Sequence, residues 1–254
     1  KRQLLESGYK RNVGGAGNLA VNLASINGEV DLYGPLGKDK QGYGFLDLLK
    51  ERKVNSYLSS CMEATTSKVR IVSTQGQQIC RFDTDAICEC TEAEDRFINS
   101  VNENDLVVIS DYNKGAVRRD TVAKALGKGA KVLVDPKQSP SYYTGAFLVK
   151  PNMKEYVEWF GEFNYVDARD HLKEYDWEWL VVTDGADGIH IVNSTDHWHC
   201  KEEVLEVADV SGAGDTVMAI IAHGLNKGKT VPDSCALACY GASRVVEKRG
   251  VTVV

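Results

Sequence analysis

The chain has 254 residues, 43% of them hydrophobic and 26% charged, a composition typical of a globular protein with a sizeable core. A formal net charge of -6 argues against a nucleic-acid-binding surface, and no apolar run reaches the ~20 residues that cross a membrane. The N-terminal residues lack the apolar stretch of a signal peptide, so we expect a cytoplasmic protein.

The predicted elements alternate between strands and helices along most of the chain. In chain order they are strand 29–33, helix 42–53, strand 106–109, helix 121–126, strands 131–134, 146–149, 179–182 and 188–192, and helices over about 214–226 and 233–248. This alternation indicates a mainly parallel sheet that is covered by helices on both faces.

Residues 67–83 interrupt the alternation. Two strand-like runs, 68–72 and 78–82, flank the turn-forming residues 74–76, which predicts a β-hairpin. Such a hairpin could close over a site as a lid or could be surface decoration. No internal repeat or low-complexity linker divides the chain, so we expect a single domain over residues 1–254 that carries this hairpin.

The seven cysteines show no regular spacing. Cys88 and Cys90 lack the two-residue gap of a zinc knuckle, and no second pair follows them. We therefore expect reduced, mostly buried thiols. Residues 197–200, His-Trp-His-Cys, alternate polar and apolar side chains, which favours a strand over a metal cluster.

Near the C-terminal end, a turn of small residues, Asp209-Val-Ser-Gly-Ala-Gly-Asp215-Thr216, leads directly into an apolar helical run. Unpaired amides at a helix start, together with the helix dipole, favour an anion such as a phosphoryl group. A carboxylate there, Asp215, could accept a proton from a substrate hydroxyl. This segment alone is equally compatible with a glycine turn in which Asp215 is an ordinary helix-start acid.

A second glycine cluster, Gly14-Gly15-Ala16-Gly17-Asn18, also leads into a helix-like run. It lacks the further glycine of the dinucleotide-binding pattern. Small residues beside an amide that both donates and accepts hydrogen bonds suit a polyhydroxylated ligand. A glycine-eased helix start that Asn18 caps is equally compatible with the pattern.

Together, the two glycine clusters resemble the two signatures of the ribokinase-like (PfkB) carbohydrate kinases. Segments 65–70, 77–83, 110–115, 135–137 and 150–155 are similar to one branch, the D-glycero-β-D-manno-heptose-7-phosphate kinases of heptose nucleotide and lipopolysaccharide precursor synthesis. The resemblance implies a three-layer α/β sandwich with a mainly parallel central sheet and a small β lid, formed by residues 67–83. It also implies ATP-dependent phosphorylation of the anomeric hydroxyl of the heptose 7-phosphate.

The resemblance further implies a role for particular residues. Asp215 would be the catalytic base, with the amides of Gly212, Ala213 and Gly214 as the anion hole. The substrate side would comprise Gly14, Gly15, Asn18, Lys68, Arg70, Arg81, Asp111 and Lys114, although structural ion pairs are an alternative for each basic residue. The nucleotide side would comprise Asn152, Glu155, Thr183, Gly185, Gly188 and Cys239. Glu155 would help to organise magnesium indirectly.

The implied cofactors are ATP and Mg²⁺, and the family often uses a monovalent cation such as K⁺. A lid with exposed strand edges predicts a homodimer. The sequence departs from the family pattern in several places: no counterpart of the first strand precedes Gly14, Asn27 replaces a usual glycine or serine, Ile220 replaces a usual small residue, and Cys239 replaces a frequent adenine-side asparagine. The alternatives are a kinase for fructose, ribose or a hexose phosphate, or a catalytically weak sugar- or nucleotide-binding protein on the same fold.

Overall fold

The computed structural model describes residues 10–26, 28–75, 77–201 and 212–246. In chain order its elements are α1 (Ala16–Ser25), β1 (Asp31–Gly37), α2 (Lys40–Glu51), β2 (Asn55–Met62), β3 (Ser67–Val72), β4 (Gln78–Thr84), α3 (Thr91–Ser100), β5 (Leu106–Ser110), α4 (Thr121–Leu126), β6 (Lys131–Asp135), β7 (Leu148–Val149), α5 (Met153–Phe160), α6 (Tyr165–Glu174), β8 (Trp179–Thr183), β9 (Ile189–Val192), β10 (His197–Cys200), α7 (Ala213–Asn226) and α8 (Val231–Val246).

The central sheet contains six of the described strands, in the order β10-β9-β8-β7-β6-β5. Strands β5 to β8 run parallel, and β9 and β10 are added antiparallel at one edge. The middle strands are short apolar runs, as parallel strands buried on both faces require. The predicted mainly parallel sheet is therefore confirmed.

Helices cover both faces of this sheet. Because side chains alternate along a strand, Val132 and Val134 of β6 join a core with α3, α4, α5 and α6, whereas Leu133 joins a core with α1, α7 and α8. All three side chains are fully buried. Burial of each side chain contributes about 1.5–3 kcal/mol to stability. Because successive side chains of β6 enter both cores, the same strand holds both helical layers. The predicted three-layer sandwich is confirmed.

The first part of the described chain forms a smaller unit beside the central sheet. Strand β1 pairs in parallel with β2 in a separate two-stranded sheet. Its apolar cluster, with Leu32 of β1 and Leu49 of α2, is distinct from the two main cores. Helix α1 packs against α7 and also contacts β1 and β5, which joins this unit to the main sheet.

The predicted hairpin is confirmed as the antiparallel pair of β3 and β4. Val69 lies opposite Phe82 and Ile71 opposite Cys80, so these four apolar residues share one face. The other face carries Lys68 opposite Asp83 and Arg70 opposite Arg81. The hairpin is therefore amphipathic, and Phe82 is 61% exposed.

Several predicted boundaries needed correction. Strand β1 begins two residues later than the predicted 29–33 and continues through Gly34 and Pro35. Of residues 146–149 only Leu148 and Val149 form a strand, because Ala146 closes a turn by donating its amide to the Tyr143 carbonyl. Strand β2 was not predicted, since its sequence, Asn-Ser-Tyr-Leu-Ser-Ser-Cys-Met, lacks a regular apolar alternation.

The expectation of reduced thiols was wrong for two cysteines. Cys61 in β2 and Cys90 at the start of α3 form a disulfide, and the other five are free. Of these five, Cys235 and Cys239 are buried. The pair was missed because spacing alone does not reveal which cysteines the fold brings together.

Two other expectations concern the strand at residues 197–200 and membrane spans. His197–Cys200 forms the edge strand β10, as predicted, and no metal-binding group of three or more His, Cys, Asp or Glu side chains occurs in the described ranges. Within the part of the chain that the structure describes, every helix is too short or too polar to cross a membrane.

Candidate active site

The carboxyl ends of the parallel strands bring several polar residues to one edge of the sheet. Asp111 and Tyr112 follow β5, Asp135 ends β6, Lys150 follows β7 and Thr183 ends β8. Ligands of open α/β sheets bind at this edge. The starts of α1 and α7 reach the same place, because Asn18 and Tyr112 both contact Asp215.

Helix α7 begins at a glycine turn. Gly212 is its N-cap residue, with φ 86° in the left-handed region that favours glycine. No side chain of a described residue caps this helix start. The first amides of α7, including those of Ala213 and Gly214, have no acceptor within the helix, and they suit an anion. The preceding residues of the motif, 209–211, lie outside the described ranges.

The Asp215 carboxylate lies between two hydrogen-bond donors. Asn18 Nδ2 donates to Oδ2 at 2.7 Å, and the Tyr112 hydroxyl donates to Oδ1 at 3.2 Å. Burial raises the pKa of Asp215 above its usual value, although the bond from Asn18, the charge of Lys150 and the bond from Tyr112 each lower it. A carboxylate with a raised pKa is a stronger base than an exposed one.

Asn18 joins the two glycine clusters. It is buried, and its bond to Asp215 spans 197 positions of sequence. Asn22 Nδ2 in turn donates to the Asn18 carbonyl at 2.9 Å. The side-chain amide of Asn18, which was predicted to contact the sugar, therefore donates a hydrogen bond that orients Asp215.

Sequence reasoning missed an ion pair near the glycine turn between the buried Lys150 and the partly buried Asp135. Lys150 Nζ lies 3.1 Å from Asp135 Oδ1, and the Lys150 side chain is 3% exposed. The same Nζ lies 3.7 Å from where a Cβ atom on Gly214 would be. Burial raises the pKa of Asp135 to about 6, even though Lys150 lowers it. Both residues lie within segments that carried the family resemblance, which was the available signal.

The carboxylate of Asp111 accepts hydrogen bonds from other groups of the protein. Its Oδ2 accepts hydrogen bonds from the Tyr143 hydroxyl at 2.6 Å and from Gln138 Nε2 at 2.8 Å, and its Oδ1 accepts one from the Asn113 amide at 2.7 Å. The predicted substrate-side residue therefore fixes the loop that follows β5. It presents the next residue, Tyr112, to the site.

A cavity of about 2800 Å³ contains Asp215 and most of the predicted substrate side. Its lining includes Gly212, Gly14, Gly15, Asn18, Lys68, Arg70, Asp111 and Lys114. Lys114 pairs with Asp85 at 3.0 Å, and Arg81 pairs with Asp83 at 2.8 Å and does not line the cavity. Lys68 and Arg70 line it and form no ion pair with a described residue, so they are the better candidates to bind a substrate phosphate.

The predicted nucleotide side lies outside this cavity. Asn152 and Glu155 form a capping box at the start of α5, and Lys137 Nζ binds Glu155 Oε1 at 2.9 Å. Gly185 begins a short 3₁₀ turn and Gly188 follows it, and both glycines have positive φ values.

Two contacts relate these residues to one another. Thr183 forms a bridge with Asn152. Cys239 is buried in α8, and its thiol donates to the Cys200 carbonyl, which also abuts Gly188. The six residues therefore gather around the ends of β7 and β8 and the adjoining part of α8.

The profile of the pfkB family carbohydrate kinases matches residues 2–254. The chain belongs to this family. Its curated relatives include the bifunctional protein HldE of Shewanella loihica, which is 36% identical over 95% of this chain and 53% of that protein. The chain thus spans about half the length of the curated relatives it matches.

Solved structures agree with the family on the fold. Phosphofructokinase-2 from Escherichia coli in complex with potassium has a TM-score of 0.80, at 18% identity over 99% of this chain and 89% of that chain. Ribokinase from Thermotoga maritima has a TM-score of 0.73, at 19% identity over 92% of this chain and 80% of that one. The predicted ribokinase-like fold is confirmed.

Proposed function

We propose that this kinase transfers the γ-phosphoryl group of Mg-ATP to the anomeric hydroxyl of D-glycero-β-D-manno-heptose 7-phosphate, which gives the 1,7-bisphosphate. The observation that carries the proposal is the Asp215 carboxylate, which Asn18 and Tyr112 orient at the glycine-turn start of α7. The assignment of the heptose 7-phosphate as substrate rests on the resemblance of segments 65–70, 77–83 and 110–115 to the heptose kinases. The similarity to HldE over nearly the whole chain supports it.

In the proposed reaction, the anomeric oxygen attacks the γ-phosphorus, the bond to the leaving ADP breaks, and Asp215 takes the hydroxyl proton. Phosphoryl transfer needs alignment and stabilisation of the charge on the moving group. The amides of Ala213 and Gly214 provide the second without reorganising during the reaction. Lys150 adds a positive charge close to Gly214.

Magnesium in kinase sites is held by one or two carboxylates together with substrate phosphates. Glu155 suits an indirect role near the end of β7, because one of its oxygens accepts from the Asn152 amide and the other pairs with Lys137. When bound, the metal would neutralise phosphate charge. The nucleotide would lie near Thr183, Gly185 and Gly188. The potassium complex of the Escherichia coli enzyme supports a test of K⁺ dependence here.

The substrate phosphate would bind at the charged face of the hairpin. Lys68 and Arg70 reach the same cavity as Asp215. A charge-assisted hydrogen bond contributes about 1.5–3 kcal/mol. A kinase for an unphosphorylated sugar would not need these two charges. We further propose that the hairpin acts as the lid and that the protein is cytoplasmic and homodimeric.

A substrate panel tests the proposal, with ADP release as readout. We expect the highest kcat/KM with the heptose 7-phosphate and a loss of at least about tenfold with the unphosphorylated heptose, because one strong contact is removed. Fructose, ribose and fructose 6-phosphate are the other sugars of the panel, and K⁺ is tested as a cofactor. A preference for any of these sugars over the heptose 7-phosphate would reject the proposed substrate.

Two variants accompany the panel. Asp215→Asn should lower kcat by about 10²- to 10⁴-fold and leave sugar binding by calorimetry nearly unchanged, because it removes the base and keeps its shape. Arg70→Gln should raise KM for the phosphorylated sugar and leave that for the unphosphorylated one unchanged. A near-normal kcat in Asp215→Asn would show that Asp215 is not the base.

A further inference from the structure

Tyr112 contacts both glycine clusters. Its hydroxyl donates to Asp215 Oδ1 at 3.2 Å, and its ring atom Cε2 lies 3.6 Å from where a Cβ atom on Gly15 would be. Gly15 has φ 57°, a backbone conformation that favours glycine, and the Tyr112 ring lies at van der Waals distance from this position. A single side chain thus closes the gap between the starts of α1 and α7.

The backbone on either side of Tyr112 is fixed. The preceding carboxylate of Asp111 accepts hydrogen bonds from Tyr143, Gln138 and the Asn113 amide. Asn113 has φ 52°, a left-handed conformation that asparagine tolerates. Because Tyr112 is 47% exposed, core packing does not explain this precise placement.

Tyr112 is a hydrogen-bond donor throughout the working pH range. Burial of its hydroxyl and the charges of Asp215 and Asp135 raise its pKa above the usual tyrosine value. The phenol therefore stays neutral and donates its proton to the carboxylate. It does not compete with Asp215 as a base.

We propose that Tyr112 is a positioning residue for the phosphoryl transfer, which holds Asp215 toward the acceptor hydroxyl and forms the wall of the sugar pocket opposite Gly15. Asn18 fixes one carboxylate oxygen and Tyr112 the other, so the carboxylate cannot rotate. Each oxygen has a second lone pair, and that of Oδ1 remains to accept the substrate hydroxyl. The inference rests on the proposed role of Asp215 as the base.

The decisive variant is Tyr112→Phe, which removes the hydroxyl and keeps the ring. We expect kcat to fall about tenfold, the value of one hydrogen bond, with the KM for the sugar nearly unchanged. The acid limb of the kcat/KM profile should move to higher pH, because a carboxylate that loses a donor has a higher pKa. Tyr112→Ala, which also removes the wall, should raise the KM for the sugar as well.

Tyr43→Phe is the matched control, because Tyr43 is 65% exposed on α2 and does not line the cavity. It should keep the wild-type kcat and pH profile, and thermal unfolding should show that every variant is folded. If Tyr112→Phe keeps the wild-type kcat and acid limb while Asp215→Asn is inactive, the inference is overturned and the proposed function stands. An active Asp215→Asn would remove the basis of both.

Discussion

The site residues depend on one another for their charge. Asp215 is buried, and a buried carboxylate loses the hydration that stabilises its ionised form. This burial raises the pKa of Asp215, whereas the hydrogen bond from Asn18, the charge of Lys150 and the hydrogen bond from Tyr112 replace part of the lost hydration and lower it. Removal of any one of these three should therefore change the pH dependence of the reaction.

Asp135 makes a second pH effect testable. Its pKa is raised to about 6 from 3.8, so the native protein binds a proton between these values while the unfolded chain does not. The free energy of unfolding should thus rise as pH falls through 6. We expect Asp135 to contribute about 1 kcal/mol of added stability between pH 7.5 and pH 5, and urea unfolding of the wild type and of Asp135→Asn should show the difference.

Asp135→Asn also leaves Lys150 buried without its partner, so it should be less stable at both pH values. The informative quantity is the change in the free energy of unfolding between pH 7.5 and pH 5. Asp170→Asn, an exposed substitution on α6, should retain the wild-type change. If Asp135→Asn gains as much stability between pH 7.5 and pH 5 as the wild type does, the raised pKa of Asp135 is ruled out.

Much of the candidate site could be predicted from sequence at the level of single motifs. Gly14, Gly15, Asn18 and Asp215 do line one cavity. The bond between Asn18 and Asp215 could not be predicted, because each motif is local and the contact depends on how α1 packs against α7. The Lys150–Asp135 pair likewise depends on the pairing of β6 with β7.

At the scale of elements, the start of α5 has one observed role, as a helix cap, and one proposed role, toward the nucleotide, and the sequence pattern cannot separate them. Asn152 Oδ1 accepts a hydrogen bond from the Glu155 amide at 2.9 Å, and Glu155 Oε2 accepts one from the Asn152 amide at 3.0 Å. This reciprocal pair satisfies two helix-start amides. The same residues are proposed to serve the nucleotide.

Substitutions at Asn152 distinguish the roles. Asn152→Ala should lower the free energy of unfolding by about 1 kcal/mol, whereas Asn152→Ser, which keeps a capping oxygen, should lose less. Both should raise the KM for ATP, because both lack the amide. Chemical denaturation and steady-state kinetics measure the two effects.

Asn164 offers the matched control, since its Oδ1 caps α6 by accepting from the amides of Val166 and Asp167. Asn164→Ala should lose similar stability and keep the KM for ATP. A wild-type KM in both Asn152 variants would leave capping as the role of Asn152 and reject its assignment to the nucleotide side.

The sequence predicted some elements better than others for a physical reason. Strands β5, β6 and β8 are apolar runs that the central sheet buries on both faces, so their composition identifies them. The exposed strand β2 has no such pattern, because it packs against α2 and α3 on only part of its surface. Local composition could not identify it, and tertiary packing defines it.

At the scale of the whole molecule, the apolar face of the hairpin is the surface through which the proposed homodimer would form. A two-stranded sheet is marginally stable in water unless its apolar face is covered. Val69 and Phe82 lie on that face and are 42% and 61% exposed. The same face of a second copy would cover both at once, as a two-fold axis requires.

Phe82→Glu tests this dimer, because it places a charge at the centre of the apolar face. We expect the wild type to have the mass of a dimer in size-exclusion chromatography with light scattering, and Phe82→Glu to have that of a monomer. Arg81→Gln, a neighbour on the opposite face, should remain dimeric. A monomeric wild type at all concentrations, or a dimeric Phe82→Glu, would contradict the proposed interface.

The disulfide between Cys61 and Cys90 has a consequence for the hairpin, because residues 67–84 lie entirely inside the loop that it closes. A cross-link spanning 29 positions reduces the freedom of the unfolded chain and stabilises the fold by about 3–4 kcal/mol in the loop-entropy account. It also ties together the two points where the hairpin leaves and rejoins the protein. If the hairpin is the proposed lid, the disulfide fixes its base while it is oxidised, and reduction in the proposed cytoplasmic environment would free the chain on both sides of the hairpin.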